Sequence, residues 1–191
     1  TGHGVPGAFM SILGISFLNE IVNTSEEINA SRILNELREN LIKSLRQTGE
    51  GDESKDGMEM AICVVDFDQN KVQFSGAFRP MYLIRNWELQ EIKGDRMPIG
   101  LYDNELVSFS DKEIEFMEED IIYLFSDGYV DQIGGPKRKT FRAKKFKQLL
   151  LSIYTKPMDE QKATLEQAFE QWKSDTEQID DIMVMGIRFT S

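Results

Sequence analysis

Histidine and cysteine, the residues behind many nucleophiles and most structural zinc sites, are nearly missing. His3 and Cys63 are the only examples in 191 residues. A lone cysteine excludes an internal disulfide and suits a reducing compartment. One residue of each type also argues against a structural zinc site or a Cys–His nucleophile pair. No apolar run approaches the length needed to span a bilayer, and nothing resembles a secretory signal. Basic residues are outnumbered 22 to 33, a net charge of −11. That balance speaks against nucleic acid, whose phosphates need a basic surface. What the chain has in quantity is carboxylate, and carboxylates bind hard cations such as Mg²⁺, Mn²⁺ or Ca²⁺. With 40 % apolar and 29 % charged residues, the composition is that of an ordinary globular protein of one domain, residues 1–191.

The order of elements follows from the hydrophobic period. After a turn made by Gly2 and Gly4, Pro6 stands where a first helical residue belongs. From Phe9 to Val22 the apolar residues surround the helix, which predicts that it is buried. Ser31 offers an N-cap to a second helix with a stripe of Leu34, Leu37, Leu41 and Leu45. Residues 48–57 read as a polar loop. The middle then shifts to strands: "MEMAICVVDF", "KVQFSGA", "MYLIR", "LQEI", "ELVSF", "EIEFM" and "IIYLF", with short connections that favour antiparallel neighbours. Helical period returns at Phe146, Leu149, Leu150 and Ile153, and again at Leu165, Ala168, Phe169 and Trp172. A last segment, "IMVMGIRF", is apolar on both faces and predicts a buried strand. The order predicts an α+β layered domain.

Two acidic clusters lie at predicted strand ends. "YLFSDGYVDQ" runs from a strand into Ser126-Asp127-Gly128, and in "EQIDDIMVMGI" Asp180 and Asp181 open the final strand. Acids at the ends of neighbouring buried strands converge on one point from rigid supports, as a metal site requires. Gly128 permits a turn directly after the acid. Singly, each cluster reads more readily as a common turn or loop start than as a functional site.

Taken in order, "TGHGVPGAFMS", "DGMEMAICVVDF", "YLFSDGYVDQIGG" and "QIDDIMVMGIRF" resemble the SpoIIE-type branch of the protein phosphatase 2C-like, metal-dependent serine/threonine phosphatases, from Thr1 to Phe189. The resemblance implies an α/β/β/α sandwich of two mainly antiparallel sheets flanked by helices, with two Mn²⁺ or Mg²⁺ ions at one edge. It implies that Asp127 and Asp180 are metal ligands, with Asp181 the alternative to Asp180. In the family pattern Asp-x-(Ser/Thr)-Gly-His-Gly, an acid that bridges both metals precedes the turn. Here that position lies before Thr1, so the chain is expected to be an N-terminally truncated piece of a longer protein, lacking its first strands and having little activity alone. The implied mechanism is in-line hydrolysis by a metal-activated water, with no covalent phosphoenzyme.

Other residues carry weaker expectations. His3 reads either as proton donor to the leaving alkoxide or as a turn residue packed on the helix start. Asp56 stands where related phosphatases carry an acid near a third metal, and also where a strand-start turn is common. The run "KRKTFRAKKFK", residues 137–147, includes Lys137, Arg138 and Lys139, near where the family has a variable flap. It reads as a patch that attracts a phosphorylated partner or as a solvated loop and polar helix face. "SGAFRPMYLIR" departs from the family at Phe78 and Arg79, where His or Asn is more usual. The resemblance further implies a phosphoprotein substrate of the anti-sigma-factor antagonist type, an upstream sensor or signalling domain in the parent chain, and a cytoplasmic setting. Membrane tethering would come through that upstream domain only. The competing reading is a phosphatase fold that binds a partner without turnover; retention of Asp127 and Asp180 favours the enzyme. A structural Ca²⁺-binding domain ranks last, for want of regularly spaced acids.

Overall fold

The computed structural model describes residues 4–24, 28–47, 57–101 and 107–190. Contacts divide the chain into two compact units, Thr1–Pro80 with Lys93–Phe116, and Met81–Ile92 with Met117–Ser191.

In the first unit, α1 (Gly4–Thr24) and α2 (Ala30–Leu45) accompany a sheet of β1 (Met60–Asp66), β2 (Lys71–Ala77) and β5 (Lys112–Glu115). The strand order is β1-β2-β5, and both pairings are antiparallel. The "DQN" turn between β1 and β2 is closed by Asp66, whose Oδ1 accepts the Asp68 and Gln69 amides at 2.9 Å. The leucine stripe of α2 faces inward: Leu34, Leu37 and Leu41 are fully buried with Met58, Ala77, Ile99 and Phe109.

Three expectations change here. The N-cap of α2 is Asn29, whose side chain accepts the Arg32 amide at 3.0 Å. Ser31 falls inside the first turn, its hydroxyl and amide engaged by Asp111. Residues 107–109 of "ELVSF" form no strand. The Phe109 amide goes to Asn35 Oδ1 at 3.0 Å and the Val107 carbonyl to Arg38 at 2.8 Å, so side chains replace a ladder. Finally, α1 buries only one face. Met10 and Ile21 are buried, whereas Ile12 is 66 % and Ile15 62 % exposed. Its apolar residues lie on every side, but among the described residues α2 and its neighbours cover one side alone.

In the second unit the strand order is β4-β3-β6-β9, antiparallel throughout, from β3 (Met81–Arg85), β4 (Glu88–Ile92), β6 (Ile121–Phe125) and β9 (Val184–Arg188). Helices α4 (Ala143–Ile153) and α5 (Met158–Lys173) pack on this sheet through Phe146, Leu150, Ile153, Leu165 and Phe169 against Tyr82, Ile84, Tyr123 and Phe125. A four-residue helix α3 (Gly128–Asp131) follows β6, and the short strands β7 (Ile133–Gly134) and β8 (Lys139–Thr140) form a hairpin. The hairpin adds two short strands that the sequence does not predict. Strand β9 is also less enclosed than predicted. It is a sheet edge, with Met183 51 % and Met185 47 % exposed.

Candidate metal and phosphate site

Strand β6 is Ile-Ile-Tyr-Leu-Phe, β-branched and aromatic, and nearly all of it is buried. It delivers Asp127 at its end as a half-buried residue, the N-cap position of α3. Strand β9 runs antiparallel beside it, with Phe125 opposite Val184. The end of one strand therefore meets the start of the other, and Asp127 stands beside the backbone of Asp181.

The meeting is close. A Cβ on Gly128 would lie 2.4 Å from the Asp181 carbonyl oxygen. Glycine is thus required here by space, because the chain enters a helix rather than a positive-φ turn. The Ser126 amide donates to the Met183 carbonyl at 3.0 Å. The Ser126 hydroxyl donates to the Asp181 carbonyl and accepts the Met183 amide, both at 2.9 Å.

Asp180 and Asp181 are exposed. Asp180 Oδ1 accepts the Asp181 amide at 2.7 Å, and the Asp180 carbonyl accepts Gln178 Nε2 at 2.9 Å. Upstream, the same segment is tied down by Gln132, which is fully buried just after α3. Its Nε2 donates to the Glu177 carbonyl at 2.9 Å, and its own carbonyl accepts the Trp172 indole N–H at 3.0 Å. Tyr129, pressed among Phe141, Phe146 and Phe169, donates its hydroxyl to the Leu165 carbonyl at 2.8 Å. Burial pushes that phenol's pKa up. Neither Ser126 nor Gln132 was assigned a role from sequence. Ser126 lies inside the "SDG" motif, which was the available signal; nothing local marks Gln132.

The basic run has its own support. Lys137, Arg138 and Lys139 are exposed on the β7–β8 hairpin. Gly134 and Gly135 seat the hairpin on Trp172, where a Cβ on Gly134 would lie 2.0 Å from the Trp172 carbonyl oxygen. Arg138 reaches Asp175 at 3.6 Å, an exposed pair. Lys145 stacks over Trp172 at 3.5 Å, and Lys147 pairs with Glu91 at 2.7 Å. The seven bases are therefore divided between structural contacts and solvent. His3 and Asp56, like the loop 48–56, lie outside the described residues.

Among the described residues no group of three His, Cys, Asp or Glu side chains gathers as a metal cage. The donors present, Asp127 with Asp180 or Asp181, are hard oxygens of the kind that Mn²⁺ and Mg²⁺ take. The side-chain-free space over Gly128 keeps their backbones together. The residues fit such an ion. Among the same residues no helix is long and apolar enough to cross a membrane.

Comparison with solved structures gives several likenesses. The SiaA-PP2C domain of Pseudomonas aeruginosa is 26 % identical, with a TM-score of 0.87 over 99 % of this chain and 72 % of that one. A Bacillus subtilis structure, the PP2C phosphatase domain with a regulatory-domain fragment of the cell fate determinant SpoIIE, is 17 % identical. Its TM-score is 0.75, over 99 % of this chain and 52 % of that one. The RsbU and RsbW domains of Rv1364c from Mycobacterium tuberculosis are also 17 % identical, with a TM-score of 0.74 over 100 % and 51 %. A search of curated proteins found no match. The antiparallel sheets and their helices are thus those of PP2C-like phosphatase folds. A family model, Stage II sporulation protein E (SpoIIE), matches residues 1–190, and the chain belongs to that family of PP2C-type phosphatase domains.

Proposed function

We propose that this domain is a phosphoserine/phosphothreonine protein phosphatase dependent on Mn²⁺ or Mg²⁺. The observation that carries the reading is the junction of β6 and β9, which sets Asp127 beside Asp180-Asp181 within a PP2C-type fold. Asp127 would hold the ion from the end of the buried strand. Asp180, with Oδ1 turned to the Asp181 amide, would offer its other oxygen, and Asp181 is the alternative ligand. When bound, two such ions lower the pKa of a water and offset charge on the phosphoryl oxygens. His3 would protonate the leaving alkoxide, and Asp56 would serve a weaker ion. Lys137, Arg138 and Lys139 would draw in an acidic phosphoprotein and orient it without touching the reacting phosphorus.

The substrate class that fits is a phosphoprotein of the anti-sigma-factor antagonist type, in bacterial signalling, with a sensor or regulatory domain in the same protein and a cytoplasmic setting. Support comes from relatives: one structure pairs the phosphatase domain with a regulatory fragment, and another joins RsbU and RsbW domains.

Asp127→Asn and Asp180→Asn should each lower Mn²⁺-dependent hydrolysis of a phosphoserine peptide by at least the roughly 10–100-fold that loss of a ligand-orienting partner costs, since each removes a ligand charge at constant volume. Circular dichroism should show the fold retained. Full activity in excess chelator would exclude the metal mechanism. Absent turnover at saturating metal, with phosphoprotein binding intact, would favour a partner-binding module instead.

A further inference from the structure

Beyond Phe125 and Val184 the regular pairing of β6 with β9 ends. The Ser126 amide still makes one ladder bond, to the Met183 carbonyl. The reciprocal bond is different: the Met183 amide donates to the Ser126 hydroxyl at 2.9 Å, in place of a backbone carbonyl. The same hydroxyl spends its one proton on the Asp181 carbonyl, also at 2.9 Å. A hydroxyl has one donor and two acceptor sites, so a single side chain spans two residues of the opposite strand. On the other side of Asp127, Gly128 approaches the same carbonyl so closely that a Cβ would sit 2.4 Å from it. The Asp181 carbonyl is therefore held by the residue before Asp127 and by the residue after it.

We infer that Ser126 is a positioning residue, whose hydroxyl fixes Asp180-Asp181 in register with Asp127 through the Asp181 carbonyl and the Met183 amide. The inference rests on the reading of those acids as metal ligands. Asp180 and Asp181 are exposed and precede β9, so the backbone ladder does not hold them. Without the hydroxyl, the segment between Gln178 and Met183 would lose the tie that the Ser126 side chain gives it. The Asp181 carbonyl and Met183 amide lie where water reaches them, so their loss of a partner costs the fold little. What changes is the spread of positions that the second carboxylate occupies relative to the first. A ligand pair held loosely pays more entropy when an ion fixes it, and partners that orient ligands typically matter about 10–100-fold in metal affinity.

The experiment is a calorimetric titration of the full-length protein with Mn²⁺, comparing wild type, Ser126→Ala and Ser126→Thr, with thermal melts of the metal-free forms. Alanine should weaken Mn²⁺ binding by about 10–100-fold at nearly unchanged melting temperature, and threonine, which keeps the hydroxyl, should restore it. Equal affinity in wild type and alanine variant would overturn the positioning role while leaving the ligand assignment standing, since Asp127→Asn tests that separately. Loss in alanine without rescue by threonine would show that the hydroxyl is not the operative group. A wild type that takes up no Mn²⁺ would overturn both readings together.

Discussion

Asp120 stands at the opposite end of β6 from Asp127 and decides where that strand begins. Its side chain is 2 % exposed, yet its oxygens are fully engaged. Arg85 donates from Nε at 2.9 and 3.1 Å and from Nη2 at 2.6 Å, and the Met117 amide adds a bond at 2.8 Å. Arg85 closes β3, whose Ile84 pairs with Ile121. The ion pair therefore pins the β3–β6 register one residue before the strand that carries Asp127. Nothing in the local sequence marks such a carboxylate, because its partner lies 35 positions away. Asp120→Ala removes the carboxylate that Arg85 and the Met117 amide share and should destabilise the domain by about 1.5–3 kcal/mol. Asp120→Asn keeps an acceptor for the Met117 amide and should cost less. Urea unfolding of the two variants checks this order; equal loss would assign the effect to packing rather than to charge.

Among elements, period and turn chemistry carried most of what the sequence revealed. Strands β2, β3 and β6 were legible to the residue, because β-branched and aromatic runs end at turn residues. The junction of Asp127 with Asp180-Asp181 was legible as two acidic strand ends. What was not legible depends on partners remote in sequence. Phe109 is buried in a loop whose amides bond to Asn35 and Asp95, and one face of α1 is exposed because nothing in the first unit covers it among the described residues. The β7–β8 hairpin is a further case. Its two-residue strands carry no periodicity, and its place is set by Gly134 and Gly135 on Trp172 and by the Thr176 hydroxyl donating to the Ile133 carbonyl at 2.6 Å. These anchors do not involve the basic side chains at its tip, and the exposed Arg138–Asp175 pair contributes only ~0–1 kcal/mol. Replacing Lys137, Arg138 and Lys139 by Gln should leave the melting temperature within a few degrees of wild type. If the tip steers an acidic phosphoprotein, its dephosphorylation should slow at low salt and converge with wild type as salt screens the attraction. Hydrolysis of para-nitrophenyl phosphate, too small to meet the tip, should hardly change. Equal losses on both substrates would point to a displaced hairpin.

At the scale of the whole molecule, burial holds four weak acids neutral, the half-buried Cys63 and the buried Tyr82, Tyr123 and Tyr129. In the first unit, burial raises the Cys63 thiol from its ordinary 9.0 to about 12. In the second, burial raises the phenol of Tyr82 to about 12, helped by the charge of Glu91. Burial does the same for Tyr123, to about 12, against the opposing pull of Arg188, and moves Tyr129 upward as well. Tyr82, Tyr123 and Tyr129 are all 1–2 % exposed. The sign follows from linkage. Each folded pKa lies above the unfolded one, so the neutral form favours the native state, and that advantage is complete below the unfolded pKa. It shrinks as pH rises toward the folded value, because the unfolded chain releases protons that the native chain retains. Stability from these groups should therefore be flat from about pH 7 to about pH 8 and should fall from about pH 9 upward, first through Cys63 and then through the phenols. Each group contributes at most ~1.4 kcal/mol per pH unit within its window. Urea midpoints measured across that range should trace the fall. Tyrosinate absorbance from the three buried phenols should appear with unfolding rather than before it. Cys63→Ala should remove the earliest part of the slope and leave the later part, whereas Tyr82→Phe should keep the earliest part and reduce, without abolishing, the later one, since Tyr123 and Tyr129 remain. A midpoint that stays constant to about pH 11 would mean that the phenols ionise in place, with solvent reaching them inside an otherwise intact sheet.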